Sequence, residues 1–156
     1  MRDLAVHGSD LVAATYARAF WILDDLSPLR QINRGVANSQ TFLFGPDKAL
    51  RVRLDMNGDT PLPPEMPAGQ NPPNGALLDY YLRSAQTEDI TLAVYDSAGQ
   101  LVRQFSTKPE PPSTEPPPSV PDYWLAHPQP LSKHAGLNRF LWDLHYPSPQ
   151  VLRHDY

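Results

Sequence analysis

The chain has 156 residues, 40% of them hydrophobic and 19% charged, with 19 prolines and no cysteine. That length allows one domain, or a small domain plus part of another, and the proline content excludes a mainly helical fold. A net charge of −4 with no block of Lys or Arg argues against nucleic acid and an anionic membrane as partners, no apolar run is long enough to span a bilayer, and the lack of cysteine excludes disulfides and thiolate chemistry while leaving the redox compartment open.

Residues 3–25 read as three short strands. Leu4-Ala5-Val6 leads into a turn at His7-Gly8-Ser9-Asp10, residues 11–15 return, and residues 19–23 follow a second turn. Short strands with tight turns fit a propeller blade, and three of them cannot bury both faces of a sheet by themselves. Arg2-Asp3 after Met1 is followed by no apolar h-region, so no signal peptide is read there. Residues 26–39 form a connector in which Ser27-Pro28 predicts a short helix or turn, with Ser27 as its N-cap. Residues 40–44 and 49–54 read as strands around a Gly45-Pro46-Asp47 turn. Residues 55–73 hold Pro, Gly and Asn without apolar periodicity and read as a long irregular loop.

Residues 71–107 organise the rest. Ala76, Leu78, Tyr80 and Leu82 fall on one face of an extended chain, and Leu77, Asp79, Tyr81 and Arg83 on the other. Ile90, Leu92 and Val94 alternate with Thr91, Ala93 and Tyr95. Asp96-Ser97-Ala98-Gly99 then supplies a turn, and Leu101, Arg103 and Phe105 alternate with Val102 and Gln104, making a hairpin. Three consecutive antiparallel strands are therefore expected. Residues 108–122 are proline-rich and read as an exposed loop favouring polyproline II, with Tyr123-Trp124-Leu125 as an aromatic anchor after it. Residues 136–146 read as a strand that returns to the same sheet or sandwich. Asn138, Phe140, Trp142 and Leu144 share its inner face, with Phe140 and Trp142 expected to be buried anchors.

No motif for catalysis, cofactor or metal is found, so no residue is assigned to a catalytic, cofactor-binding or metal site. Asp24-Asp25 is the one adjacent carboxylate pair considered. A glycosidase needs two carboxyls about 5–9.5 Å apart on one substrate, and neighbours on a strand point to opposite faces. This pair reads as ending the strand and capping the next turn. Glu65, Glu88, Glu110 and Glu115 fall in turns or loops. His7, His127, His134, His145 and His154 show no zinc-binding spacing, and Ser132 near His134 lacks a nucleophile elbow. Tyr16, Arg18, Trp21, Tyr123 and Trp124 form a conceivable sugar-stacking set, but packing roles are the favoured reading. Arg139 and Asp143, four apart, read as pairing with neighbouring strands.

The pattern P-x-G-A-x-x-x-Y-x-L, carried by Pro73, Gly75, Ala76, Tyr80 and Leu82, begins a resemblance. Ile90-Thr91-Leu92, Asp96, Gly99, Val102 and Arg103 continue it, and Ala135-Gly136, Arg139-Phe140, Trp142-Asp143-Leu144, Tyr146 and Pro147 complete it. Together they resemble the immunoglobulin-like (FlgD-type) module at the C-terminal end of bacterial BNR-repeat, sortilin-like β-propeller proteins. His145 stands where that pattern has arginine. Asp10-Leu11-Val12, Thr15, Arg18, Phe20-Trp21-Ile22-Leu23 and Asp24-Asp25 resemble the last blade of such propellers, with Tyr16-Ala17 where the family has His-Gly. The resemblance implies an all-β fold: a blade remnant at 1–25, a connector at 26–39, and an immunoglobulin-like β-sandwich at 40–156 with proline-rich loops at 55–73 and 108–122. It implies a non-catalytic accessory region of an extracytoplasmic, periplasmic or secreted protein. Its partner would be the propeller of the same protein, with a glycan or protein ligand as a further prospect. The alternatives are part of a glycosyl hydrolase whose active site lies in the missing propeller, and a carbohydrate- or protein-binding module.

Overall fold

A computed structural model describes residues 2–16, 18–52, 63, 65–66, 69, 73–108 and 130–147. The protein is all-β, its described residues forming antiparallel sheets with two single-turn helices. Strands β1 (Asp3–His7), β2 (Asp10–Ala14) and β3 (Phe20–Leu23) form the first sheet in sequence order. Its register aligns Leu4 with Ala13 and Trp21, and Val6 with Leu11 and Leu23. Side chains directly opposite share a face, so one face of this sheet is wholly apolar. The other carries Ala5, Val12, Ala14, Phe20 and Ile22 beside Asp3, His7 and Asp10.

Helices α1 (Ser27–Gln31) and α2 (Arg34–Asn38) follow. Asn33 caps α2 by accepting from the Gly35 and Val36 N–H groups. The cap of α1 differs from expectation. Ser27 is already helical, and its buried hydroxyl has no partner. The Asp25 carboxylate does the work from two residues upstream, accepting from the Ser27 N–H at 2.8 Å.

The second sheet has the order β4 (Thr41–Leu43), β5 (Ala76–Leu82), β8 (Gly136–Trp142). The third is the hairpin of β6 (Thr91–Tyr95) and β7 (Leu101–Ser106). The three strands expected in sequence therefore divide between two sheets. Both edges of β5 are taken, by β4 and β8. The Gln86 N–H bonds to the Lys133 carbonyl, carrying the chain away from β5 before β6 begins. The strand expected at residues 49–54 is absent over 49–52, the part described. Gln31 explains this: its side-chain amide donates to the Gly45 carbonyl and accepts from the Gly45 N–H. The chain leaves the sheet there without a partner to pair with.

Ala76, Leu78, Tyr80, Leu82, Phe140 and Leu131 form the core between the second and third sheets, with Ile90, Leu92, Val94 and Phe105 packed on it. Phe105 and Phe140 meet at 4.6 Å between ring centroids. Tyr80 Oη donates to the Ser132 carbonyl and accepts from the Ser132 N–H, both at 2.7 Å, which fixes the approach to β8. Phe140 is buried as expected. Trp142 is only half-buried, because its indole N–H reaches past the strand end to the His145 carbonyl.

The opposite face of β5 is covered too. Phe42 aligns with Tyr81, so it and Phe44 lie on the face of Asp79. Phe44, Leu26, Pro28 and Val36 are buried outside the main core. The connector runs across this face, tied down by the Gln31–Gly45 bonds, and Arg139 holds the Asp24-Asp25 bend that leads into it. No helix among the described residues is long and apolar enough to cross a membrane. The 108–122 loop beyond Lys108 and the Tyr123-Trp124-Leu125 anchor lie outside the described residues, as does most of the 55–73 loop.

Candidate functional site: the junction of the sheets

The chemistry-bearing side chains gather where the first sheet meets the second. Asp79 in β5 and Arg139 in β8 are directly opposite in register, each the one charged residue of its strand. Asp79 is 1% exposed. A buried carboxylate is costly without a partner, and Arg139 supplies a two-pronged one: Nε to Oδ1 at 2.9 Å and Nη2 to Oδ2 at 3.0 Å. The hydrogen bond to Asp79 raises the Arg139 pKa against the opposing effect of burial. The same guanidinium donates from Nη1 to the Asp24 carbonyl at 2.6 Å and from Nη2 to the Asp25 carbonyl at 3.0 Å.

A cleft of about 220 Å³ lies beside this knot, and Asp10, Asp24, Asp25 and Asp47 all line it. Three of these carboxylates are engaged in holding turns. Asp10 Oδ1 accepts from the Asp25 N–H at 3.0 Å, and Asp25 Oδ1 accepts from Ser27. Asp47 accepts from the Ser9 hydroxyl and the Lys48 N–H. The Ser9 bond first, then the Lys48 N–H, holds the Asp47 carboxyl below its ordinary value. A carboxylate stabilised in its charged form is a poor general acid at neutral pH. Both Asp24 and Asp25 follow the end of β3, and the Asp25 carboxylate holds the next turn, while Asp24 contributes its backbone carbonyl to Arg139. Among the described residues no three His, Asp or Glu side chains gather in a metal-binding arrangement.

The other candidates separate. Tyr16, Arg18 and Trp21 lie at or beside the β2–β3 turn, all exposed, without a shared side-chain contact among the described residues. The Trp21 indole donates to the Arg18 carbonyl, and the Arg2 guanidinium lies 5.1 Å from the Tyr16 ring centroid. Tyr123 and Trp124 lie outside the described residues, with His127, His154, Glu110 and Glu115. Arg139 pairs with a neighbouring strand as expected, whereas Asp143, past the end of β8, pairs with His145 at 3.5 Å. Glu65 and Glu88 are exposed.

Two features were not read from the sequence. One is the Asp79–Arg139 pair itself, signalled by a lone charge at the centre of each of two apolar strands. The other is an apolar groove of about 360 Å³ between β4 and β6, lined by Phe42, Leu43, Ile90, Leu92 and Leu131. No sequence signal marks it, because it depends on which strands become edges. No family model, curated protein or solved structure matches the chain.

Proposed function

We propose that this chain is a non-catalytic accessory region of an extracytoplasmic BNR-repeat, sortilin-like β-propeller protein. In this reading the first sheet is part of a blade, and the second and third sheets form a FlgD-type immunoglobulin-like module. The observation that carries the reading is the first sheet's double exposure. Phe20 and Ile22 stand on one face, Trp21 and Leu23 on the other, and all four are exposed, Phe20 at 74% and Trp21 at 63%. A solvated antiparallel sheet shows polar residues on its outer face. Apolar side chains on both faces suit a sheet packed between two others, as a propeller blade is. Contiguous apolar surface of this kind otherwise promotes association. The engaged carboxylates at the junction support a structural role for this region, with any hydrolytic chemistry belonging to the propeller.

The test compares this chain with a longer protein carrying the coding sequence upstream of it. Iodide quenching would be read at Trp21. Shielding of its exposed indole in the longer protein is the expected result. Equal exposure of Trp21 in both proteins would refute the reading.

A further inference from the structure

We propose that Arg139 is a latch that makes the stability of the first sheet depend on the packed sheets. Three short strands with both faces open have little stability of their own. What holds β1–β3 must therefore lie at the junction, and the bonds there are few and specific. The Leu26 N–H donates to the Ser9 carbonyl at 2.6 Å, and Arg30 Nη2 to the Gly8 carbonyl at 3.1 Å. The Asp25 N–H reaches back to Asp10. These bonds tie the β1–β2 turn to the connector, and the Ser9 hydroxyl ties it to Asp47 beyond β4; among the described residues only Arg139 bonds the end of β3 to a strand of the second sheet, through the carbonyls of Asp24 and Asp25.

The backbone of Asp25 shows that this contact determines a conformation. Its φ is +58°, in the left-handed region that non-glycine residues rarely occupy. Such a conformation persists where its surroundings over-determine it. Here the N–H, the carboxylate and the carbonyl of one residue are each bonded, to Asp10, Ser27 and Arg139 respectively. Arg139 is in turn aimed by the buried Asp79, whose two oxygens take the guanidinium edge on. The order is thus Asp79 orienting Arg139, Arg139 pinning the Asp24-Asp25 bend, and the bend setting the stance of β3. The inference is independent of whether the sheet belongs to a propeller.

Hydrogen exchange of the whole chain tests it, reading β2 amides against β5 amides. In the native sequence the β2 amides are expected within about tenfold of the β5 protection, as one cooperative unit. Arg139→Lys keeps the charge but cannot serve two carboxylate oxygens and two carbonyls at once. It is expected to speed β2 exchange at least about tenfold relative to β5. Should that variant fail to fold, Asp79→Leu with Arg139→Leu removes the buried pair without leaving a lone charge. It should leave β5 protected while β2 loses protection. The proposal is overturned if native β2 amides already exchange through an opening of their own. It is equally overturned if β2 and β5 protection fall in step in the double variant, or if neither changes.

Discussion

Alanine at Gly75 should disrupt the second sheet far more than alanine at Gly99, although both glycines have positive φ. Gly75 precedes β5 with φ of +152°. A Cβ there would sit 2.2 Å from the Trp142 carbonyl oxygen and 2.9 Å from its carbonyl carbon. Both are backbone atoms of β8, so no side-chain rotation relieves the clash; the strand must move by about 1 Å to restore a normal carbon–oxygen contact. The Gly-only backbone costs about 1–3 kcal/mol, and overpacking adds about 1–3 kcal/mol. Together they come to about 4 kcal/mol, a large share of a small domain's 5–15 kcal/mol or so. Gly99, in the β6–β7 turn at φ of +77°, has nothing within 4 Å of its Cβ position. Only the left-handed backbone penalty applies there, about 1 kcal/mol. Urea denaturation separates the two. With a slope of about 2 kcal/mol per molar, the midpoint should fall by about 2 M for Gly75→Ala and about 0.5 M for Gly99→Ala. Equal midpoints would mean that the end of β8 does not lie against Gly75.

Trp142→Ala should cost about 2 kcal/mol, below the ~3–5 kcal/mol typical of a fully buried large aromatic, since the ring packs on the edge of the core and is only partly buried; a loss of that full size in denaturant titration would place it in the core. A chain starting at Gln40 should be markedly less stable than one starting at Asp24. It lacks Leu26, Pro28 and Val36, buried with Phe44, and both carbonyl partners of Arg139, and equal thermal midpoints would show that the connector is dispensable. The Lys133 and Thr107 hydrogen bonds hold the Asp89 carboxyl below its ordinary value. A depressed folded-state pKa stabilises above the unfolded value of about 3.9 and loses that effect as pH falls through the folded value. Carboxyl NMR titration should show Asp89 ionising at low pH in the native chain and returning toward the ordinary value in Lys133→Ala; an unchanged titration would discount the pair.

Local patterns carried the strands well, and partner choice poorly. The alternation in residues 76–82 and 136–142 marks β5 and β8 because side-chain direction alternates with a period of two. Nothing in that alternation says which strand lies beside which, so β5 was expected next to β6 although its edges belong to β4 and β8. The sequence reads Arg139 as pairing with a neighbouring strand but does not name the residue. That partner, Asp79, is 60 residues away, and only the register brings them together. Residues 49–52 have strand-like composition, but the Gln31 amide, a competitor from outside the segment, redirects the chain at Gly45. The turn after Asp25 is legible in the sequence because a strand end and its cap are local matters, though only Asp25 of the pair supplies its carboxylate.

The pairing of Asp79 with Arg139 also has a temporal side. Hairpins such as β6–β7 close over a few residues, as the Asp96–Gln100 turn bond shows, and such local contacts form in microseconds. The β5–β8 ladder must bring together residues 60 positions apart, and non-local pairing of that kind is slow. On the ribosome, at about 5–20 residues per second, roughly 3–12 seconds separate the emergence of the two partners. Throughout that interval the Asp79 carboxylate must remain hydrated, since no counter-charge yet exists for it. The charge that later locks the second sheet thus first opposes its collapse, keeping the outer face of β5 wet until β8 arrives. Mutational φ values near zero at Phe140, against high values in the β6–β7 hairpin, are the kinetic signature of that order.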